Sequence, residues 1–224
     1  MSISSEFHGA SIERATLSDK VYETLLEAIV SGRLPPDAEL SVVALAKELD
    51  VSRTPVHDAL RQLAHDGLVE QEVNRKGRVA SFTRDDVFEI FEMRKLLEGT
   101  AAELAATRLE DRALAQLRSV ANRLSDTRED VDWMQRWIDY DEQFHDVIAN
   151  ASGNRRLWMD IARYRLLHRG FNQMSTNVNV LQQALAEHIE ILDALEKREP
   201  KESASAMVSH IETWQVFFVK HFPR

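Results

Sequence analysis

Residues 41–69, SVVALAKELDVSRTPVHDALRQLAHDGLV, decide the fold, because they read as two short helices meeting at a tight turn. Val43, Leu45, Ala46 and Leu49 recur at helical spacing in the first, and Val56, Ala59, Leu60 and Leu63 do so in the second, giving each helix one buried face. Asp50-Val51-Ser52 makes the turn between them. Ser52 stands where its hydroxyl would cap the second helix, Pro55 falls in the first turn, where an amide needs no helical partner, and Gly67 ends the helix. The polar positions near its start are Ser52, Arg53, Thr54, His57 and Arg61, side chains that reach phosphates and base edges when a helix N-terminus enters the major groove. This is a helix-turn-helix with its recognition helix at 52–65.

Upstream, residues 1–15 are Ser-rich and without periodicity, and are expected to form a flexible arm. Leu17, Val21, Leu25, Ile29 and Val30 then form an apolar stripe on a helix that Ser18 is expected to cap and Gly32 to close. Downstream, the strand-like runs 68–73 and 79–82 are joined by Asn74-Arg75-Lys76-Gly77-Arg78. A glycine-tipped basic hairpin after a recognition helix is a wing, and it adds Arg75, Lys76, Gly77 and Arg78 to the candidate DNA-contacting residues.

The 224 residues suffice for two ordinary domains, and a hydrophobic fraction of 44% allows each a core. Zero cysteines exclude disulfides, thiolate metal sites and cysteine nucleophiles, so any metal must be held by His, Asp or Glu. Neither a membrane span nor a secretory signal is supported, and a cytoplasmic location is expected. The net charge of −9 is unusual for a DNA-binding protein. Residues 1–80 alone hold nine basic and thirteen acidic side chains, so the contact surface must be a local patch, doubled if the chain dimerises.

The phrase VSRTPVHDALRQLAHDGLV, preceded by IVSGRLPP and followed by RKGRVA, resembles the N-terminal winged helix of the GntR superfamily of bacterial transcription regulators. Two departures stand out: His57 replaces a usual arginine, and Asp37 a usual glycine. The resemblance implies a homodimer on a palindromic double-stranded operator.

From Thr83 onward Gly and Pro nearly vanish and the pattern is helical, with breaks near 110–111, 126–130, 152–154, 175–177 and 199–200, which makes about six helices. The expected architecture is therefore mainly α: the arm, a winged helix-turn-helix over 16–82, and an antiparallel all-helical bundle over 83–224. The bundle's first helix opens with a Thr83 cap and runs through Phe88, Phe91, Leu96 and Leu97. Asp141 and His145 lie four residues apart on one helix face with Ile138 and Ile148, so both are expected to point inward. His188 shares a stripe with Leu181, Leu185, Leu192 and Leu195, and His210 one with Met207, Trp214 and Phe217.

Any one of these histidines alone is an ordinary hydrogen-bonded core residue. Together they bring three imidazoles around a carboxylate that would be costly to bury alone, a conventional shell for Zn²⁺, Ni²⁺ or Mn²⁺. His168 has no assigned role, His221 is expected in solvent, and the tryptophans at 133, 137, 158 and 214 are expected to pack helix against helix. The spacing of Arg94 and Glu98 equally suits a surface i,i+4 pair.

This second region is similar to the FCD branch of GntR regulators, those with a FadR-type C-terminal domain, a bundle that binds an effector and often a metal. The family's D-x-x-x-H phrase falls on Asp141 and His145, its E-H-x-x-I-L-D-A-L phrase on Glu187 to Leu195 with His188 as ligand, and its last metal histidine on His210. EMRKLLEGTAAELAA resembles the family's opening helix, whose arginine, here Arg94, faces the effector cavity. The family's Gly-Asp turn before the last helix is replaced by Arg198-Glu199-Pro200.

These parts imply a ligand-responsive repressor or activator whose metal and Arg94 together suit a small carboxylate, with Arg165 as a second candidate cation. Two other readings use the same residues. One is a sensor for which the metal is the sole effector, and the other a metal-dependent hydrolase, against which no general base stands out.

Overall fold

The computed structural model describes residues 16–71, 76–127, 130–171 and 178–222, which divide between Ser81 and Phe82 into two compact units. The expected arm and Arg75 lie outside the described residues.

The first unit holds α1 (Leu17–Val30), β1 (Glu39–Leu40), α2 (Val42–Glu48), α3 (Arg53–His65), β2 (Val69–Glu70) and β3 (Gly77–Val79). The cap of α1 is Thr16 rather than Ser18. The Thr16 hydroxyl accepts from the Asp19 amide while the Asp19 carboxylate accepts from the Thr16 amide, so two orphan amides are satisfied where Ser18 would satisfy one. Ser52 occupies the N-cap position of α3 but its side chain makes no capping bond. Asp50 takes the tight turn with a φ of 52°. Val56, Ala59, Leu60 and Leu63 are fully buried, against Leu25 and Ile29 of α1 among others, and burial of each Leu or Ile contributes about 1.5–3 kcal/mol. In α2 only Ala46 is buried, and Val43 is 56% exposed, because seven residues make too short a helix to bury more than one edge.

β3 lies between β1 and β2, antiparallel to both, with Leu40 opposite Gly77 and Val69 opposite Val79. The hairpin expected for the wing is therefore a three-stranded sheet. Two-residue β1 carries no legible alternation, and Phe82, expected in the strand, lies beyond it. Asp37, where the resembled family has glycine, adopts a φ of 63°, a left-handed conformation that glycine takes without strain.

Among the described residues the second unit is six helices: α4 (Arg84–Ala105), α5 (Asp111–Asp126), α6 (Trp133–Ala151), α7 (Arg155–Phe171), α8 (Val178–Glu196) and α9 (Pro200–His221). Thr83 and Asp86 form a capping box at the start of α4. Phe88 and Leu96, expected inside, are 48% and 66% exposed; α4 instead turns Val87, Ile90, Phe91, Arg94, Glu98 and Ala101 inward. Arg198 turns the chain into α9 at a φ of 58°, and its guanidinium donates to the carbonyls of Ala106 (3.3 Å) and Leu109 (2.6 Å) and pairs with Asp111. The residue that strains this turn thus also ties it to the far end of α4.

α4 and α9 form the most extensive helix pairing in the unit. Gly99 permits it, since a β-carbon there would stand 2.7 Å from Val208 Cγ2. Gly99→Ala is therefore expected to destabilise the helical unit by about 1–3 kcal/mol, and adding Val208→Ala to recover most of the loss. Urea unfolding of the two variants checks this; equal midpoints for Gly99→Ala and wild type would mean the helices separate freely.

Candidate functional site

On α3, Arg53, Thr54, His57 and Arg61 are all exposed on the face opposite the buried stripe, as is Ser52 at its cap. Arg61 is paired with Asp58, at 2.6 Å and 76% exposed, a surface contact worth about 0–1 kcal/mol that a phosphate can replace. On the wing, Lys76 and Arg78 both reach Glu39 of β1, at 2.9 and 3.4 Å, so one carboxylate holds two candidate phosphate ligands beside each other. Gly77 is buried in β3 and offers backbone alone.

The helical unit gathers a set of buried ionisable side chains around a cavity of about 60 Å³, with room for a few water molecules. Its lining includes Arg94, Asp141, His145, Arg165, His168 and His210, with Trp137 and Trp214. The two tryptophans thus line the cavity as well as packing helices. His145, His188 and His210 come from α6, α8 and α9, all three are buried, and their ligand atoms lie within 4.8 Å of one another. His188 Nε2 is 3.2 Å from His210 Nε2, and Asp141 Oδ1 is 3.7 Å from His145 Nε2 and 3.6 Å from His188 Nε2. Neighbouring ligands of one ion bonded at about 2.0–2.1 Å stand roughly 3.0–3.4 Å apart. His221 lies exposed at the end of α9, its Nδ1 against the Phe217 carbonyl. Ile138, expected to share the inward face of Asp141, is 43% exposed.

Two carboxylates that the sequence reading did not assign to the site prepare these rings. His145 Nδ1 donates to Glu98 Oε2 at 2.5 Å, and His210 Nδ1 donates to Glu187 Oε2 at 2.7 Å. A ring whose Nδ1–H is held by a carboxylate offers its Nε2 lone pair, the arrangement that makes histidine a good metal ligand. Among the described residues His145 Nε2 is buried and has no hydrogen-bond partner, which is what a coordinating nitrogen looks like before the ion is added. The donor set therefore fits a divalent cation. His188 is held by packing, stacked on Phe144 with ring centroids 4.0 Å apart.

The two guanidiniums are already engaged. Arg94 pairs with Glu98 at 2.8 Å, so the i,i+4 pair exists, but both members are buried and Arg94 also lines the cavity. Arg165 pairs with Asp141 Oδ2 at 2.7 Å, leaving Oδ1 toward the histidines. Burial opposes ionisation of Asp141, but Arg165, then His145 and His188, hold its carboxyl well below the usual range. Glu98 is likewise held low by Arg94 and His145 against its burial. Burial, then Arg165, pushes His145 down to about 4, so the ring is neutral and ready to ligate at neutral pH.

This shift has a sign that can be measured in metal-free protein. The unfolded chain protonates His145 near pH 6.5 and the folded one only near 4, so stability falls as pH drops through that window, by about 2 kcal/mol at pH 5 for His145 alone. His168 and His188 are also lowered by burial and add in the same direction, whereas Asp141 acts only below pH 4, where the unfolded chain protonates it and the folded one does not. Urea midpoints for the helical unit should thus fall between pH 7.5 and 5; a flat profile would mean the rings charge without unfolding.

A winged helix presenting an exposed cationic helix face, joined to an all-helical bundle, defines the class of a DNA-binding regulator. The FCD domain family matches residues 89–213, more than half of the chain, and the family of bacterial regulatory proteins, gntR family, matches residues 17–79. The chain belongs to the GntR family, in its FCD branch, and is a DNA-binding transcription regulator rather than an enzyme. It is 27% identical over 203 residues to a probable D-xylose utilization operon transcriptional repressor of Paenarthrobacter nicotinovorans, covering 91% of this chain and 89% of that one. It is 24% identical over 199 residues to the transcriptional repressor RspR of Escherichia coli, covering 88% and 86%. The fold is shared with E. coli McbR/YncC, at a TM-score of 0.79, 21% identity and coverage of 94% and 100%. Among the described residues, no helix is long and apolar enough to cross a membrane.

Proposed function

We propose that the chain is a homodimeric, cytoplasmic regulator whose operator affinity is set by a divalent metal and a small carboxylate bound together in the helical unit. The observation that carries this reading is the gathering of Asp141, His145 and His210 with Arg94 and Arg165 on one cavity, with His188 Nε2 beside it at 3.2 Å from His210 Nε2 and 3.6 Å from Asp141 Oδ1. The four would hold Zn²⁺, Ni²⁺ or Mn²⁺, which supplies an electrophilic centre for a carboxylate oxygen. The cavity's small volume limits the ligand to a few heavy atoms beside the ion. For the ligand to regulate, it must bind the DNA-competent and incompetent arrangements unequally. Two relatives are repressors by name, which supports a reading in which effector binding releases this chain from its palindromic operator.

One observation favours the leaner reading in which the metal is the sole effector. Both guanidiniums that would receive a carboxylate are occupied, Arg94 by Glu98 and Arg165 by Asp141. A thermal-shift series on zinc-loaded protein with small mono- and dicarboxylates separates the two, since a ligand of the folded state raises its melting temperature by mass action. A carboxylate that raises it and also changes operator affinity supports the first reading. Metal-dependent DNA binding indifferent to every acid supports the second. On the DNA side, Arg53→Ala should weaken operator binding by about 1–3 kcal/mol in fluorescence anisotropy if Arg53 reads a base edge. An equal loss on random duplex would make it a phosphate contact.

A further inference from the structure

The outer surface of the helical unit carries a larger groove, of about 490 Å³, between α6 and α7. Asp139, Glu142 and Asp146 line it from α6, and Trp158, Arg165 and Arg169 from α7. Among the described lining residues, Arg165 is the one that this groove and the histidine cavity share. Its side chain is 11% exposed and its guanidinium is held on Asp141 Oδ2, so it stands as the wall between the two spaces. Behind that wall lies the unpartnered, buried Nε2 of His145.

We propose that a divalent cation reaches the histidine cavity through the α6–α7 groove, and that the Arg165–Asp141 pair is the gate it passes. The proposal rests on the metal reading above and adds the route. Three features of the groove support it. Its α6 edge is acidic, which raises the local concentration of a divalent cation at the mouth. The first half of α7 is anchored toward α6 by apolar packing of Leu157 and Ile161 against Ala149, but further along the two helices are tied by polar links. Arg169 pairs with Glu142 at 2.7 Å, at about 40% exposure, and such exposed pairs open far more readily than packed apolar side chains. Finally, the gate is made of a candidate ligand: Asp141, whose side chain is 27% exposed, is the first coordinating group on the path, and an outward swing of Arg165 frees its Oδ2.

The test follows Zn²⁺ alone, by stopped flow on the full chain, using the fluorescence of Trp137 and Trp214 at the cavity and an excess of chelator for release. Removing a gate lowers the barrier in both directions. Arg165→Met should therefore speed uptake and release together, by about tenfold or more, with much less change in Kd. Arg165→Lys, which keeps the charge but holds a carboxylate at a single point, should speed both by a smaller factor, and serves if the Met variant does not fold. Arg169→Met, which removes the exposed tie to Glu142 but leaves the gate at the cavity, should speed exchange by a much smaller factor than Arg165→Met. Wild-type exchange in both Arg165 variants overturns the gate while leaving the metal site standing, as does faster release with unchanged uptake, which is an effect of charge on affinity. A wild-type protein that takes up no zinc overturns the metal reading and the route with it.

Discussion

Wild-type protein is expected to bind one divalent ion per chain, and a His145→Ala, His188→Ala double variant to bind none. His145 and His188 come from different helices and, with Asp141 Oδ1 3.6–3.7 Å from the Nε2 of each, form the half of the set nearest the carboxylate. Without them His210 and Asp141 remain, and the carboxylate is already committed through Oδ2 to Arg165. At a free zinc concentration 100 times Kd, binding to the folded state alone adds about 2.7 kcal/mol, which for a unit of this size raises the melting temperature by roughly 5–10 °C. The double variant should show no zinc-dependent shift at all. Because the comparison is made within each variant, with and without zinc, destabilisation by the truncations themselves drops out. Asp141→Asn should lie between the two, since three imidazoles suffice for weak binding. Full metal content in the double variant, by elemental analysis after dialysis, would mean the ion sits elsewhere.

The helical plan was legible because its signals are local. Gly32, Gly67 and Gly153 fall at helix ends with φ values of 73°, 86° and 70°, and the breaks expected near 110–111 and 199–200 separate helices as well, while that expected at 175–177 lies outside the described residues. The three histidine stripes were legible for the same reason, since a period of 3.6 assigns a face to each ring. What periodicity cannot tell is which polar residue on a stripe is buried. Phe88 and Leu96 were placed inside α4 and face outward, while the charged Arg94 and Glu98 face inward, because the unit spends that face on its polar cavity. Glu187 escaped attention beside His188, yet it holds His210, a residue 23 positions away on another helix. The Arg165–Asp141 pair joins α6 to α7 across 24 positions, and no spacing along one helix foretells it. The cap falls on Thr16 rather than Ser18; the two hydroxyl-bearing candidates are equivalent until the reciprocal Asp19 bond to Thr16 is seen.

Glu98→Leu is expected to destabilise the helical unit by about 3–5 kcal/mol, a drop of roughly 6–20 °C in melting temperature, the effect of stranding a buried charge. Glu98 is the hinge of a buried chain: one oxygen accepts from Arg94 Nε at 2.8 Å and the other from His145 Nδ1 at 2.5 Å, and all three side chains are at most 4% exposed. Removing it leaves the Arg94 guanidinium with its charge uncompensated and the His145 ring without the acceptor that fixes its tautomer. These two consequences separate in a second variant. Glu98→Leu combined with Arg94→Met removes both charges and fills similar volume with apolar atoms, so stability should return to within about 1–2 kcal/mol of wild type. Metal affinity should not return with it, staying about 10–100-fold weaker, because His145 Nδ1 still lacks its carboxylate. Urea unfolding of the metal-free proteins reads the first effect and zinc titration against a competing chelator reads the second. If the double variant recovered both, Glu98 would matter only as the partner of Arg94, and the preparation of His145 for an ion would have to come from Asp141 and ring packing alone.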